Sequence, residues 1–390
     1  MNKISGKLFY AGIIGFILYE IANIYFIMPM PGISQKINSI ELAYTFHAWR
    51  WVFRSLFILL VILGAKSAFL SKKWLAISTL IILLVMIYAT NFYMAADTMF
   101  YQPKTLSVKS LRENQVDMKR LIIGIAYQGQ AKAYPIQYLG YHHQIRDSIG
   151  GKPVMITYCT VCRTGRVFEP IVNGKVEDFR LVGMDHFNAM FEDKTTKSWW
   201  RQATGEAIVG KLKGQQLTEF PALQTTLRKW VELYPNTLVM QADKYFQAEY
   251  ESMQTYETGR LTGKLTRKDT ASWQEKSWIV GVEVGKESKA YDWNRLQKKR
   301  ILYDVLDNKP IAVILSKDSS SFIVLERRDK EQTFILVNDT LKNQENIYNF
   351  AGKSLDLSGQ DLKRINAYQE YWHSWKSFHP LTKKYPSAQN

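Results

Sequence analysis

The only two cysteines of the 390-residue chain stand together as Cys159-Thr160-Val161-Cys162. Thiols separated by two residues can turn toward one metal ion or toward each other, so the spacing suits either a metal knuckle or a redox couple. Two thiolates do not complete a tetrahedral site, which takes four ligands. Of the six histidines, His142, His143 and His186 lie nearest in sequence, and a soft donor set of Cys159, Cys162, His186 and His142 would suit copper or zinc. Two other readings stay open. One is thiol-disulfide exchange on an envelope partner; the other is a non-catalytic assembly subunit of a membrane complex, its cysteines vestigial. A purely structural disulfide closing so short a loop adds little stability.

The elements expected to position this pair are strands. Residues 153–158 read as a strand running into Cys159, and extended structure resumes at Arg166 after Gly165. Gly165 and Pro170 argue against the helix on which thioredoxin-type thiols sit. Asn173-Gly174, between 169–172 and 175–182, is a two-residue hairpin signal.

Three apolar stretches, at 8–28, about 51–70 and about 74–94, are long enough to cross a bilayer at ~1.5 Å per residue. Lys3, Lys7, Lys66, Lys72 and Lys73 cluster on one side of these spans, which predicts that everything after the third lies outside the cytoplasm. That location permits disulfides. Glu20 and Arg54 fall inside spans and are expected to pair across helices. The formal net charge of +16 is spread along the chain, which favours acidic membrane lipids over nucleic acid as a partner.

The remainder contains an internal repeat. Ile122–Ile125 with Lys132-Ala-Tyr134 returns as Ile279–Val282 with Lys289-Ala-Tyr291, both at an offset of 157 (279 − 122 and 289 − 132). Trp230 and Tyr234-Pro-Asn-Thr237 match Trp375 and His379-Pro-Leu-Thr382 at 145. Shifted by 157, Cys159 lands on Ser316, Cys162 on Ser319 and His142 on Lys299, so the candidate chemistry is confined to the first copy. The expected fold is α+β: a membrane domain of three helices (1–95), a first repeat carrying the cysteines (96–255), a polar linker (256–276) and a degenerate second repeat (277–390). No Gly-x-Ser-x-Gly elbow and no phosphate-binding glycine loop is present.

Lys132-Ala-Tyr-Pro135, Gly150-Gly-Lys-Pro153, Thr157-Tyr-Cys-Thr-Val-Cys162, Trp199-Trp-Arg-Gln202, Thr204-Gly-Glu-Ala207 and Tyr234-Pro-Asn-Thr237, in this order, resemble the family called domain of unknown function 3179. The resemblance covers most of 95–385. It implies an architecture and a candidate site at the cysteines without naming a reaction. Members typically carry Pro-Leu between the thiols, where this chain has Thr160-Val161.

Overall fold

The computed structural model describes residues 3–29, 32–356 and 359–386. The chain packs as two compact units, one of Met1–Tyr101, Glu177–Arg201 and Glu206–Gln216, the other of Gln102–Val176, Gln202–Gly205 and Leu217–Asn390. Residues 177–201 and 206–216, read from sequence as part of the first repeat, therefore pack in the unit of the N-terminal helices.

In the first unit, two helices rather than the expected three are long and apolar enough to cross a membrane, Gly6–Tyr25 and Arg50–Tyr93. The expected second and third spans run on as one element because Ser71-Lys72-Lys73 contains no glycine or proline to end a helix. The interruption is confined to Lys72 (φ −144°, ψ 81°). There the element doubles back: Arg54 Nη2 lies 2.6 Å from Asn91 Oδ1, whereas 37 residues of straight helix would span about 55 Å. Its outward residues, among them Leu59, Ile62, Leu63, Ile81 and Leu84, are exposed and apolar, a surface that water does not favour. Glu20 is fully buried and receives Arg54 Nε at 2.7 Å, Arg54 Nη2 at 3.0 Å and Asn91 Nδ2 at 2.9 Å, so the two charges expected to pair do so.

Four antiparallel strands of this unit, Phe179–Asp185, Asn188–Asp193, Trp199–Arg201 and Ala207–Val209, form one sheet. The Met184 amide donates to the Ile27 carbonyl at 2.7 Å. Glycine at 183 is what lets the backbones approach, since a Cβ there would stand 2.4 Å from that carbonyl oxygen. Ile27, Ala43, Val182, Met190, Trp199 and Ile208 make the shared core. Trp199 and Trp200 are buried core residues, their indole N–H groups donating to Glu192 and Asp193.

In the second unit one order of elements occurs twice. Strands Leu121–Tyr127 and Gln130–Pro135, helix Ile136–His142, and strands Gln144–Ile149, Lys152–Cys159 and Thr164–Phe168 are followed later by Trp278–Val284, Glu287–Asp292, helix Trp293–Lys299, Ile301–Leu306, Lys309–Leu315 and Phe322–Glu326. Tyr134 and Lys132 donate to Asp147 as Tyr291 and Lys289 donate to Asp304. A Cβ on Gly124 would come within 2.5 Å of the Trp230 ring, and one on Gly281 within 2.3 Å of Trp375. Trp230 Nε1 donates to Thr237 and Trp375 Nε1 to Thr382, each at 2.8 Å. The hairpin signal holds, with Asn173 and Gly174 at positive φ between the paired strands Ile171–Val172 and Lys175–Val176. Within the stretch read as a polar linker, Tyr256, Glu257 and Lys276 are buried.

Candidate functional site

The strand Lys152–Cys159 pairs with Thr164–Phe168 so that Cys159 faces Thr164, and residues 160–163 turn between them. This is the strand, knuckle, strand arrangement the sequence implies. Both cysteines are reduced thiols with no solvent exposure. Burial raises the Cys162 thiol well above its usual pKa; a hydrogen bond with Cys159 raises it further, and Ser374 and Lys276 pull it back. Arg163 takes a left-handed conformation (φ 58°) at the end of the turn. Its buried guanidinium donates to Gln369 Oε1 at 2.8 Å and the Glu257 carbonyl at 3.0 Å, and stacks on Trp278 at 3.7 Å.

The knuckle is covered by residues from far along the chain. The Tyr371 amide donates to the Cys162 carbonyl at 3.0 Å, and Lys276 Nζ to the Val161 carbonyl at 2.6 Å. His373 Nε2 lies 3.0 Å from Lys276 Nζ and 3.1 Å from the same carbonyl oxygen. Burial lowers Lys276 to about 8, although the two nearby thiols act in the opposite direction. Burial and the Lys276 charge together hold His373 at about 3, so its ring is neutral near pH 7. Among the described residues Lys276 forms no ion pair with a carboxylate, and it is buried.

Residues 316–321, which turn between the paired strands Lys309–Leu315 and Phe322–Glu326, form a second knuckle that is covered in the reciprocal way. The Thr226 amide donates to Ser321 Oγ at 3.0 Å, and the Ser316 hydroxyl donates to Asp339 Oδ2 at 2.7 Å. Asp339 also takes Lys229 Nζ at 2.8 Å. Lys229 stands 145 residues before Ser374, the same offset that relates Trp230 to Trp375 (374 − 229 and 375 − 230). The two Trp-bearing helices, Leu227–Leu233 and Trp372–Phe378, thus each start over a knuckle from the other series of elements.

The four candidate ligands do not form one set. His142 ends the helix Ile136–His142 and shares a 2.6 Å hydrogen bond with the Tyr250 hydroxyl. His186 belongs to the helix unit, in the turn between Phe179–Asp185 and Asn188–Asp193, with Nδ1 2.7 Å from Asp185 Oδ1. Among the described residues, no three His, Cys, Asp or Glu side chains come together as metal donors. The two thiolates alone leave a tetrahedral zinc site short of ligands.

Residues 100–382 match the model of a family described as "Protein of unknown function (DUF3179)". The chain belongs to this DUF3179 family. Neither a curated protein nor a solved structure matches it. The DUF3179 match begins after the two membrane-length helices and takes in both knuckles. What the sequence did not reveal is the cover of the thiols. Lys276, His373 and Ser374 lie 114 or more residues beyond Cys162 (276 − 162), and only the match of the two aromatic segments hinted that the second helix would matter.

Proposed function

We propose that this DUF3179 protein is a membrane-anchored, extracytoplasmic thiol redox protein whose Cys159–Cys162 pair exchanges with a disulfide of an envelope partner. The observation that carries this reading is Lys276, a buried amine beside two thiols that makes no close ion pair among the described residues, Glu275 and Asp269 acting on it only from further off. Near pH 7 Lys276, at about 8, already carries its proton, so the Cys162 proton leaves to solvent as the knuckle opens, and the thiolate formed stands beside that ammonium, the pairing that activates a buried thiol. The thiolate attacks one sulfur of the partner's disulfide, and the partner's other sulfur leaves as a thiolate that takes up a proton. Cys159 then gives up its proton and displaces the partner. The products are a Cys159–Cys162 disulfide and a partner dithiol, two electrons and two protons having passed to the partner. The Tyr371 and Lys276 hydrogen bonds to the knuckle must open for this attack.

Two membrane-length helices with apolar outward faces support the anchor, and the lysine bias supports an outer location for the thiols. The doubled element order and reciprocal cover support two copies of one ancestral unit, of which one kept thiols. The test is redox equilibration of the full chain in detergent over a series of glutathione ratios, with the thiols counted by mass after alkylation. One two-electron transition should be seen, absent in both Cys159→Ser and Cys162→Ser. Lys276→Met should retain it while slowing alkylation of reduced Cys162 about tenfold at neutral pH. If no intramolecular disulfide forms at any ratio, or if the thiols bring down stoichiometric copper or zinc, the redox reading fails.

A further inference from the structure

The helix unit holds a cavity of about 470 Å³ whose walls include Asn23, His47, Arg50, Arg180, Glu192 and Lys197. Asn23 lies two residues before the end of the helix Lys3–Tyr25, and Arg50 opens the next long helix. The walls also include Thr90 and Asn91, from where that helix ends. The cavity therefore stands at one end of the membrane-length helices, the depth at which lipid headgroups lie.

Its charges are unevenly satisfied. Arg180 is committed, with Nε 2.9 Å from Glu192 and Nη1 3.0 Å from Asp97. Glu192 also accepts from the Trp199 indole at 3.0 Å. Burial alone would raise Glu192, but His47, Arg180 and Trp199 outweigh it and bring the carboxyl down to about 2. His47 is itself pulled below its usual range by burial. Arg50 donates to the His47 carbonyl at 2.6 Å, and neither it nor Lys197 makes an ion pair among the described residues. Three cations, Arg50, Arg180 and Lys197, face two anions, Glu192 and Asp97, which leaves one positive charge unanswered. Asn23 is 7% exposed, and its Oδ1 is buried without a hydrogen-bond partner, an acceptor awaiting a donor.

The geometry points to a binding site for the headgroup of an anionic phospholipid, its phosphodiester on Arg50 and Lys197 and a headgroup hydroxyl on Asn23. A phosphodiester carries one negative charge, which matches the surplus, and the adjoining Ile24 and Ile27 offer apolar wall to the glycerol and upper acyl region. This site is independent of the thiol reading, because its ligand neither gives nor takes electrons.

The test is native mass spectrometry of the full chain released from vesicles of phosphatidylcholine mixed with phosphatidylglycerol or with phosphatidylmethanol, which lacks the hydroxyl. Wild type should retain phosphatidylglycerol over phosphatidylcholine. Lys197→Gln, an exposed position whose change leaves folding intact, and Arg50→Gln should each reduce that preference about fivefold. Asn23→Leu should erase the preference for phosphatidylglycerol over phosphatidylmethanol while keeping both above phosphatidylcholine. Equal retention of charged and zwitterionic lipid by wild type overturns the proposal, as does a preference unmoved by Lys197→Gln. Displacement of the lipid by millimolar inorganic phosphate would identify a free-anion site and overturn it equally, and a co-purifying quinone in its place would do the same.

Discussion

The two knuckles of the second unit sit on corresponding pairs of strands and are covered by the same kind of helix start, yet they are satisfied in opposite ways. At Ser316 every polar group finds a hard partner: the hydroxyl meets Asp339, and Asp339 meets Lys229. At Cys162 no carboxylate stands in the place of Asp339: Glu370 reaches the thiol only through the Ser374 hydroxyl, and the cation is Lys276, beside two thiols. A thiol-free knuckle is thus fully satisfied in the same chain, and that contrast is what the proposed thiol chemistry rests on.

The largest effect that would sharpen this contrast is expected at Asp339. Asp339→Ala leaves Lys229 buried with one exposed carboxylate partner, and should cost about 3–5 kcal/mol in a denaturant titration. Cys162→Ala, which strands no full charge, should cost about 1–2 kcal/mol. If the two variants were equally destabilised, the knuckles would be equally structural and the contrast would fail. Next come Gly124→Ala and Gly281→Ala, which force a methyl against Trp230 or Trp375 and should each cost about 1–3 kcal/mol. Closely similar losses would support one shared architecture; a neutral result at either glycine would break the equivalence.

The smallest effect is a slope with pH. Lys276 titrates at about 8 in the folded chain against an ordinary 10.5, so between these values the unfolded chain holds the extra proton. Stability should then rise with pH from about 8 toward 10.5, by at most about 1.4 kcal/mol per unit. The second knuckle has no counterpart, because Lys229 is raised rather than lowered, its two carboxylate partners outweighing burial. Thermal melts of wild type and Lys276→Met across this range decide the matter, and a rise that survives in the variant would assign it to another group.

Much of this was legible locally. The Asn173-Gly174 turn, the strand on each side of Cys159–Cys162, the Glu20–Arg54 pair and the motif recurring at 157 residues all follow from short-range pattern or charge in an apolar span. The long-range partners were not. An alternating strand such as Phe179–Asp185 announces a buried face without saying what will cover it, and here Ile27 and Ala43 do. Nothing in Lys276 or His373 as residue types marks them as neighbours of a thiol, and the same is true of His47 and Glu192 at the cavity. The expected second and third spans form one element rather than two because the interruption between them is the single residue Lys72, where the chain doubles back.

Reciprocal cover also sets a timetable. Cys162 is synthesised 209 residues before Tyr371 (371 − 162), whose amide closes the knuckle. At about 5–20 residues per second, the thiols spend on the order of ten to forty seconds without their lid on each new chain. Pulsed alkylation of ribosome-bound chains stalled before and after residue 371 should find both thiols reactive only before it, and protection at the earlier stall would refute this order of events. The oxidation state with which each molecule begins its life is then decided by what it meets during its own birth.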